Sequence, residues 1–160
     1  MNMNTFIYRS KFPINKEILF QFHEEPIGFQ TLVGGTKGIE VIKAPKSLSI
    51  GEEVILKISI LPFWKTIWIA KHTAYQKNSF FIDNQEKGPF LKFQHTHLFL
   101  DGPKGENSCI LSDEININFY LWPLSRIFIF PILCLMFWKR HNLTAKHFGV
   151  SNELIFCRYS

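Results

Sequence analysis

Two histidines, His95 and His97, lie two residues apart in a run of aromatic and aliphatic residues. In a β-strand, this spacing puts both imidazoles on the same face as Leu91, Phe93 and Phe99. Neutral imidazole titrates near pH 7, acts as a general base and is a common ligand for transition metals. The pattern therefore predicts either a sealed core with paired histidines or the wall of an apolar pocket that contains polar groups.

A carboxylate lies on an equally apolar face of the following strand. Asp113 alternates with Ile115 and Ile117, so it must be paired, hydrogen-bonded or protonated if that face is buried. If the loop over Asp101–Ser108 closes a hairpin, position 113 faces His97, and we expect an Asp113–His97 pair. A slip of one residue in this register would instead turn Asp113 toward solvent.

A second histidine–carboxylate pair is expected across the polar turn at 76–79. If residues 75 and 80 face each other, His72 faces Asp83, and a surface ion pair is the favoured interpretation. The HxH spacing could also hold a metal with Asp113 or Asp83 as the third ligand, but this pattern is loose. The sequence favours structural or pocket-lining histidines, with no metal and no cofactor, and leaves general acid–base chemistry open.

The elements that must position these residues follow from periodicity and turn residues. The sequence predicts a strand over 5–10, a helix over 16–23 capped by Asn15, and a second short helix over 27–33. Short connections then predict an antiparallel meander, because consecutive strands joined by tight turns pair with each other. Its strands are expected at 39–42, 53–60, 66–75, 80–85, 91–100 and 109–121, and Pro123 is expected to end the sheet.

A final helix is predicted from Pro131 to about His147, since proline fits the first turn of a helix better than its interior. The apolar run from Phe128 to Trp138 is too short to cross a bilayer and predicts a buried helix. The cations that follow, Lys139 and Arg140 with His141, have two interpretations. They receive a ligand head group or an anionic lipid at a pocket mouth, or they form a solvated helix face, which is favoured.

Composition narrows the class of protein. The 160 residues suffice for one domain, and 17 Phe residues imply a heavy core or a wide apolar cavity. The formal net charge of +5 is spread along the chain, so we expect no nucleic-acid partner. Three widely spaced cysteines and the absence of a signal-like apolar segment at the N-terminus predict a cytoplasmic protein. Peripheral membrane contact and the oligomeric state are left open.

Specific residues give the chain a family resemblance. They are Phe12-Pro13-Ile14, Trp68, the block Asp83-x-Gln85-x-x-Gly88-Pro89-Phe90, the run His95-x-His97-x-Phe99, Asp113, Pro123 and Phe137-x-x-Arg140-His141. From Phe6 to about Gly149 the chain resembles the START-like superfamily, also called SRPBCC or helix-grip proteins, and most of all its bacterial cyclase/dehydrase-like branch. The resemblance implies an α+β fold in which about seven curved antiparallel strands wrap around a long C-terminal helix, with two short helices after the first strand.

The resemblance also implies an internal apolar pocket in a ligand-binding domain over residues 1–149, followed by a tail over 150–160. We expect the protein to bind or carry a hydrophobic small molecule, lipid- or polyketide-like, without covalent chemistry. The alternatives are a cyclase- or dehydratase-like enzyme with a pocket histidine as general base, and an interaction module with a filled core. The candidate catalytic residues are His95, His97 and Asp113, and the expected ligand-binding residues are Trp68, Phe93, His95, His97, Phe99, Asp113, Ile115, Ile117, Phe119 and Leu135.

Overall fold

The computed structural model describes residues 4–34, 36–61, 63–119 and 124–159. The strands are β1 (Asn4–Phe12), β2 (Ile39–Lys43), β3 (Glu53–Leu61), β4 (Trp64–Gln76), β5 (Phe80–Lys87), β6 (Lys92–Asp101), β7 (Cys109–Asn118) and β8 (Glu153–Tyr159). The helices are α1 (Lys16–Glu24), α2 (Pro26–Phe29), which continues as a π-helical turn over Gln30–Gly34, and α3 (Ser125–His147). The predicted extension of the last meander strand to Leu121 and its stop at Pro123 lie outside the described residues.

The strands form one open, curved antiparallel sheet in the order β2-β3-β4-β5-β6-β7-β1-β8. Each hairpin of the meander pairs consecutive strands, as the short connections predicted. The chain returns to pair β1 with β7, and α3 packs along β1. This architecture is the α+β helix-grip fold, so the predicted fold class is confirmed.

The sheet has eight strands in place of the expected seven or so. The additional strand, β8, comes from the C-terminal segment for which the sequence predicted no element. It pairs antiparallel with β1, and Phe6 lies opposite Tyr159. Arg126, at the start of α3, donates a hydrogen bond of 2.8 Å to the carbonyl of Tyr159, which ties this strand to the helix.

Helix α3 begins at Ser125, six residues before the predicted start, and Pro131 lies inside it. Proline lacks the amide hydrogen that would bond to the carbonyl four residues earlier, at Ile127. Pro131 is on an exposed part of the helix, where solvent can satisfy that carbonyl. The proline therefore does not end the helix, and the prediction of a break there was wrong.

Only one side of α3 is buried. Leu133, Phe137 and His141 pack against the sheet, whereas Phe128 and Leu135 are 69% and 66% exposed. The prediction of a buried helix over the apolar run is correct for the first side and wrong for the second. In an amphipathic helix, the apolar face identifies the side that packs against the sheet. This run is almost continuously apolar, so its sequence does not distinguish the buried side from the exposed one.

Two apolar clusters fill the space between the sheet and the helices. One cluster groups residues of α1, the loop before β3, strands β1, β5, β6 and β7, and the end of α3: Phe12, Leu19, Phe20, Leu48, Phe81, Phe99, Cys109, Leu111 and Ala145. The other groups β1 and the other end of β6 and β7 with α3: Phe6, Tyr8, Phe93, Ile115, Ile117, Leu133, Phe137 and Tyr159. The candidate site lies between these two clusters.

Candidate functional site

The predicted site begins with three residues of the β6–β7 hairpin. In this hairpin His97 lies opposite Asp113, which is the predicted register. Nε2 of His95 donates a hydrogen bond of 2.8 Å to Oδ1 of Asp113, and Nδ1 of His97 lies 2.9 Å from the same oxygen. All three side chains are buried. The structure therefore places His95, His97 and Asp113 together, and the expected pairing of His97 with Asp113 is confirmed.

The other oxygen of Asp113 binds a residue that sequence reasoning missed. His141 of α3 donates from Nε2 to Oδ2 of Asp113 at 2.7 Å, and its Nδ1 lies 2.8 Å from the hydroxyl of Ser10 on β1. His141 is 1% exposed, so its assignment to a solvated helix face or a pocket mouth was wrong. Its four-residue spacing from Phe137, one helical turn away, was the available signal that both lie on the buried face.

A second carboxylate extends the network along the sheet. His72 lies opposite Asp83 in the β4–β5 ladder, as predicted, with Nε2 of His72 3.0 Å from Oδ1 of Asp83. Nε2 of His97 lies 3.3 Å from Oδ2 of Asp83. His72 is 3% exposed, so the favoured interpretation of a surface pair was wrong: the inward face of β4 is covered. We call His72, Asp83, His95, His97, Asp113 and His141 the His–Asp cluster.

Several of these short contacts are not aligned hydrogen bonds. Nδ1 of His97 and Oδ1 of Asp83 are buried and have no hydrogen-bond partner among the described residues. Nδ1 of His97 nevertheless lies 2.9 Å from Oδ1 of Asp113, and Oδ1 of Asp83 lies 3.0 Å from Nε2 of His72. Nδ1 of His72 is also buried without a hydrogen-bond partner there. Buried polar atoms are nearly always satisfied, so three unsatisfied atoms in one cluster mark it as unusual.

Burial and charge set the protonation of the cluster. Burial lowers the pKa of His95 to about 4, and the neighbouring His97 adds to this effect. Burial would also lower the pKa of His97, but its contacts with Asp113 and Asp83 outweigh burial and raise it. Burial would raise the pKa of Asp113, yet the hydrogen bonds from His141 and His95 and the close contact with His97 hold this pKa well below its usual value.

The pKa of Asp83 is also lowered, because the contacts from His72 and His97 outweigh the opposite effect of burial. At neutral pH the cluster therefore holds two carboxylates and a neutral His95, and His97 is the imidazole whose positive charge is favoured. Neutral His95, oriented by a carboxylate, has the form of a general base.

Aromatic rings enclose the cluster on several sides. Phe81 stacks on His97 with ring centroids 4.0 Å apart, and Phe137 meets His95 edge-on at 5.3 Å. Tyr8 packs edge-on against His141 at 4.8 Å. Apolar rings on these sides exclude water, which strengthens the electrostatic interactions inside the cluster.

His23 of α1 is a further buried histidine next to the cluster that the sequence did not indicate. Its ring lies 6.2 Å from that of His97, and its Nδ1 is 2.8 Å from the carbonyl of Leu19, one helical turn earlier. Burial lowers the pKa of His23 to about 3, so it is neutral. His23 contributes packing and no charge near the cluster.

The remaining predicted ligand-binding residues separate into three environments. Phe93, Phe99, Ile115 and Ile117 are buried in the two apolar clusters. Phe119 is half-buried just beyond β7 and contacts the ring of Phe90 at 5.5 Å. Leu135 lies on the exposed side of α3, opposite Phe137 on the helix, so the structure does not bring it to the His–Asp cluster.

Trp68 of β4 belongs to a half-buried apolar surface beside the cluster. Its ring meets Phe93 edge-on at 5.0 Å and Phe90 at 6.0 Å. Leu56 of β3 lies directly opposite Trp68 in the ladder and is also half-buried on the same face. Trp68 Nε1 is buried and has no hydrogen-bond partner among the described residues. We call Leu56, Ile58, Trp68 and Phe90 the Trp68 wall.

A surface depression of about 300 Å³ is lined by polar segments, residues 15–17 and 101–108. None of the predicted ligand-binding residues lines it. Its polar lining does not match the predicted apolar site.

Comparison with known proteins supports the fold. No protein-family model matches the chain, and no curated protein matches it. Among solved structures, a nucleoside-diphosphate sugar epimerase from Corynebacterium glutamicum superposes on 89% of this chain with a TM-score of 0.69 and 18% identity. The chain spans 29% of the length of that protein.

Two plant proteins of similar length share the same architecture. Norcoclaurine synthase from Thalictrum flavum, in complex with dopamine and hydroxybenzaldehyde, has a TM-score of 0.60 and 11% identity, and the match covers 92% of this chain and 87% of that one. Major latex-like protein 151 from Panax ginseng has a TM-score of 0.60 and 13% identity over 91% of this chain and 99% of that one. At these identities the matches show the fold alone, and this is the helix-grip fold that was predicted from the sequence.

The part of the chain that the structure describes contains no helix with the length and apolarity needed to cross a bilayer.

Proposed function

We propose that the protein binds a hydrophobic small molecule at the Trp68 wall, between the sheet and α3, and carries it without covalent change. The helix-grip fold supports a ligand-binding or carrier protein, since solved proteins of this fold hold small molecules. Half-buried leucine, isoleucine, tryptophan and phenylalanine provide apolar contact for such a molecule. The His–Asp cluster lies beside this wall, where it would set the polarity of one end of the site.

The observation that carries the proposal is the indole N–H of Trp68. A buried donor without an acceptor costs about 1–3 kcal/mol, and an oxygen atom on a bound molecule would relieve that cost. The surrounding side chains are apolar, so the preferred molecule has an apolar body and one oxygen-bearing end. A lipid-like acid or a polyketide-like aromatic compound fits this description.

The first test is native mass spectrometry of freshly purified protein, followed by extraction and identification of any bound molecule. The second is titration with a fluorescent polyene C18 fatty acid. Trp68→Phe keeps the ring but removes the donor, and we expect affinity to fall about 5- to 30-fold, the equivalent of about 1–2 kcal/mol for one buried hydrogen bond.

Trp64→Phe is the matched control, because Trp64 is 55% exposed at the start of β4. Its affinity for the fatty acid should stay within about twofold of the parent protein. Equal weakening by both substitutions would contradict the proposal, and so would a parent protein that carries no molecule and shows no saturable binding.

A second candidate function is an enzyme of the cyclase or dehydratase kind, and the 2.8 Å bond between His95 and Asp113 favours it. The bond fixes the ring of a histidine whose pKa burial lowers to about 4, which keeps a neutral base available at pH 7. His95→Gln distinguishes the two functions once a ligand is identified: an enzyme loses turnover and keeps binding. A parent protein that returns the ligand unchanged is a carrier.

A further inference from the structure

We propose that the His–Asp cluster is a binding site for a divalent transition-metal ion, with His95, His97 and Asp83 as its ligands. The sequence favoured a site without metal, because HxH alone is a loose pattern. The structure adds the distances, which bring Asp83, one of the two carboxylates considered as a third ligand, within reach of both histidines. This inference goes beyond the binding of an apolar molecule and does not depend on it.

The ligand atoms are close enough for one ion. One ring nitrogen from each of His95 and His97 and one oxygen of Asp83 lie within 4.8 Å of one another. Nε2 of His97 and Oδ2 of Asp83 are 3.3 Å apart, beyond the usual length of a charge-assisted hydrogen bond. Two ligands of a tetrahedral ion with bonds of about 2.0–2.1 Å are separated by about 3.3 Å, which is the observed distance.

The unsatisfied polar atoms of the cluster are a second observation in favour of a metal site. Oδ1 of Asp83 and Nδ1 of His72 are buried without a hydrogen-bond partner among the described residues, at the edge of this triad. Nε2 of His72 lies 3.0 Å from that same Oδ1 but is not aligned to donate to it. No hydrogen bond from the described residues therefore uses Oδ1 of Asp83, which leaves this carboxylate free to bind an ion.

Asp113 supplies the carboxylate that commonly faces the second ring nitrogen of a metal-binding histidine. A ligating histidine usually directs its second ring nitrogen at a carboxylate, which fixes the ring and increases its basicity. Asp113 accepts from Nε2 of His95 and lies 2.9 Å from Nδ1 of His97, and His141 holds its other oxygen at 2.7 Å. Asp113 is thus a positioning residue for both histidines, anchored from α3.

Ligand chemistry selects the class of ion. Two imidazoles and one carboxylate suit zinc, iron(II) or cobalt(II), whereas calcium and magnesium prefer oxygen ligands alone. Phe81 and Phe137 pack against the two histidines and limit the access of water. Three protein ligands leave at least one position on the ion for a further group, such as the oxygen of a small molecule.

The test uses the untagged, full-length protein, stripped with a chelator and titrated with Zn²⁺ and with Co²⁺ near pH 7.5. We expect one ion per chain and a visible Co²⁺ spectrum of low-coordinate type. In paramagnetic NMR of the Co²⁺ form, two exchangeable imidazole protons should be strongly shifted, one each from His95 and His97. This readout needs no substitution, so it holds even where a variant folds poorly.

The variants then assign the ligands. His97→Gln and Asp83→Asn should weaken Co²⁺ binding more than about tenfold, and Asp113→Asn should weaken it about 10- to 100-fold through loss of orientation. His147→Gln is the control, since His147 is exposed at the end of α3, and it should bind Co²⁺ as the parent does. Binding should also weaken as the pH falls toward 6, because protons compete for imidazole nitrogen.

Three results would overturn the proposal. The first is less than 0.1 ion per chain at about 100 μM free Zn²⁺ or Co²⁺, far above the affinity expected for a built site. The second is binding that survives His97→Gln and Asp83→Asn but is lost with His147→Gln. The third is a parent protein that binds the fatty acid but neither metal, which would leave the proposed carrier function intact and remove the metal site.

Discussion

The two buried neutral histidines make a definite prediction about stability and pH. Burial lowers the pKa of His95 to about 4 and that of His23 to about 3, from an ordinary value of 6.5. Between about pH 4 and 6.5 the unfolded chain therefore takes up a proton at each site that the folded chain does not. Both groups stabilise the fold fully above pH 6.5, and their contributions are lost as the pH falls through this window.

Linkage fixes the size of the effect. Each proton bound only by the unfolded chain changes the free energy of unfolding by about 1.4 kcal/mol per pH unit. The shift at His95, from 6.5 to about 4, amounts to about 3 kcal/mol over the whole window, as an order of magnitude. His97 acts with the opposite sign: its pKa is raised, so its contribution is complete below pH 6.5 and is lost as the pH rises through its folded-state pKa.

The assay is urea unfolding at several pH values between about 5 and 6, for the parent protein, His95→Gln and His23→Gln. The quantity of interest is the slope of the unfolding free energy against pH, because the absolute stability also changes when a buried ring is replaced. Each variant should have a slope smaller than that of the parent by about 1.4 kcal/mol per pH unit. His147→Gln, an exposed control, should match the parent within about 0.3 kcal/mol per pH unit.

A parent-like slope for His95→Gln, with near-UV circular dichroism showing a native core, would contradict this prediction. It would mean that His95 is protonated in the folded protein, so that burial does not dominate its pKa. An equal loss of slope in His147→Gln would refute it as well, since the effect would then arise from histidine content and not from burial.

Two further substitutions test the surroundings of the site. Asp113→Asn should lower the free energy of unfolding, measured in urea, by about 3–5 kcal/mol, because it removes the carboxylate that His95 and His141 bind. Asp101→Asn is the control: the Asp101 side chain is 82% exposed, so the free energy of unfolding should change by less than about 0.5 kcal/mol. Gly28→Ala would place a Cβ 1.9 Å from the carbonyl oxygen of Phe22, so it should lower the free energy of unfolding by about 1–3 kcal/mol in the same assay. Gly34→Ala is the control, because a Cβ there would meet no atom within 4 Å, and its free energy of unfolding should stay near that of the parent protein. A stable Asp113→Asn, or a Gly28→Ala no worse than Gly34→Ala, would show that these contacts are not as described.

The parts of the site that could be predicted are those fixed by hairpins. The pairs His97–Asp113 and His72–Asp83 follow from hairpins, because the connection between two consecutive strands sets their register and the register sets which side chains meet. The order of strands and short helices follows from the same local signals. The burial of His72 was not predicted, because alternation along one strand does not show which other elements cover that strand.

The parts that could not be predicted depend on long-range packing. His141 meets Asp113 and Ser10 only because α3 lies across the sheet, and 131 residues separate it from Ser10. His23 lies beside His97 because α1 folds back over β6. The strand at the C-terminus pairs with β1, and a terminal segment does not indicate in its own sequence which sheet edge it joins.

The His–Asp cluster is hard to explain as a stabilising device. Burying carboxylates and imidazoles carries a desolvation cost that mutual attraction only partly offsets, and buried ionic groups can often be replaced by apolar side chains with no loss of stability. Asp113 lies opposite Tyr8 in the β1–β7 ladder and shares the buried face of β7 with Ile115, and both of these neighbours belong to an apolar cluster. A fold that needed only stability would place a leucine there. The cluster instead holds the pKa values of Asp83 and Asp113 low and that of His95 low, with buried polar atoms that no described residue satisfies, and such perturbed groups are the basis on which we propose a functional role for it.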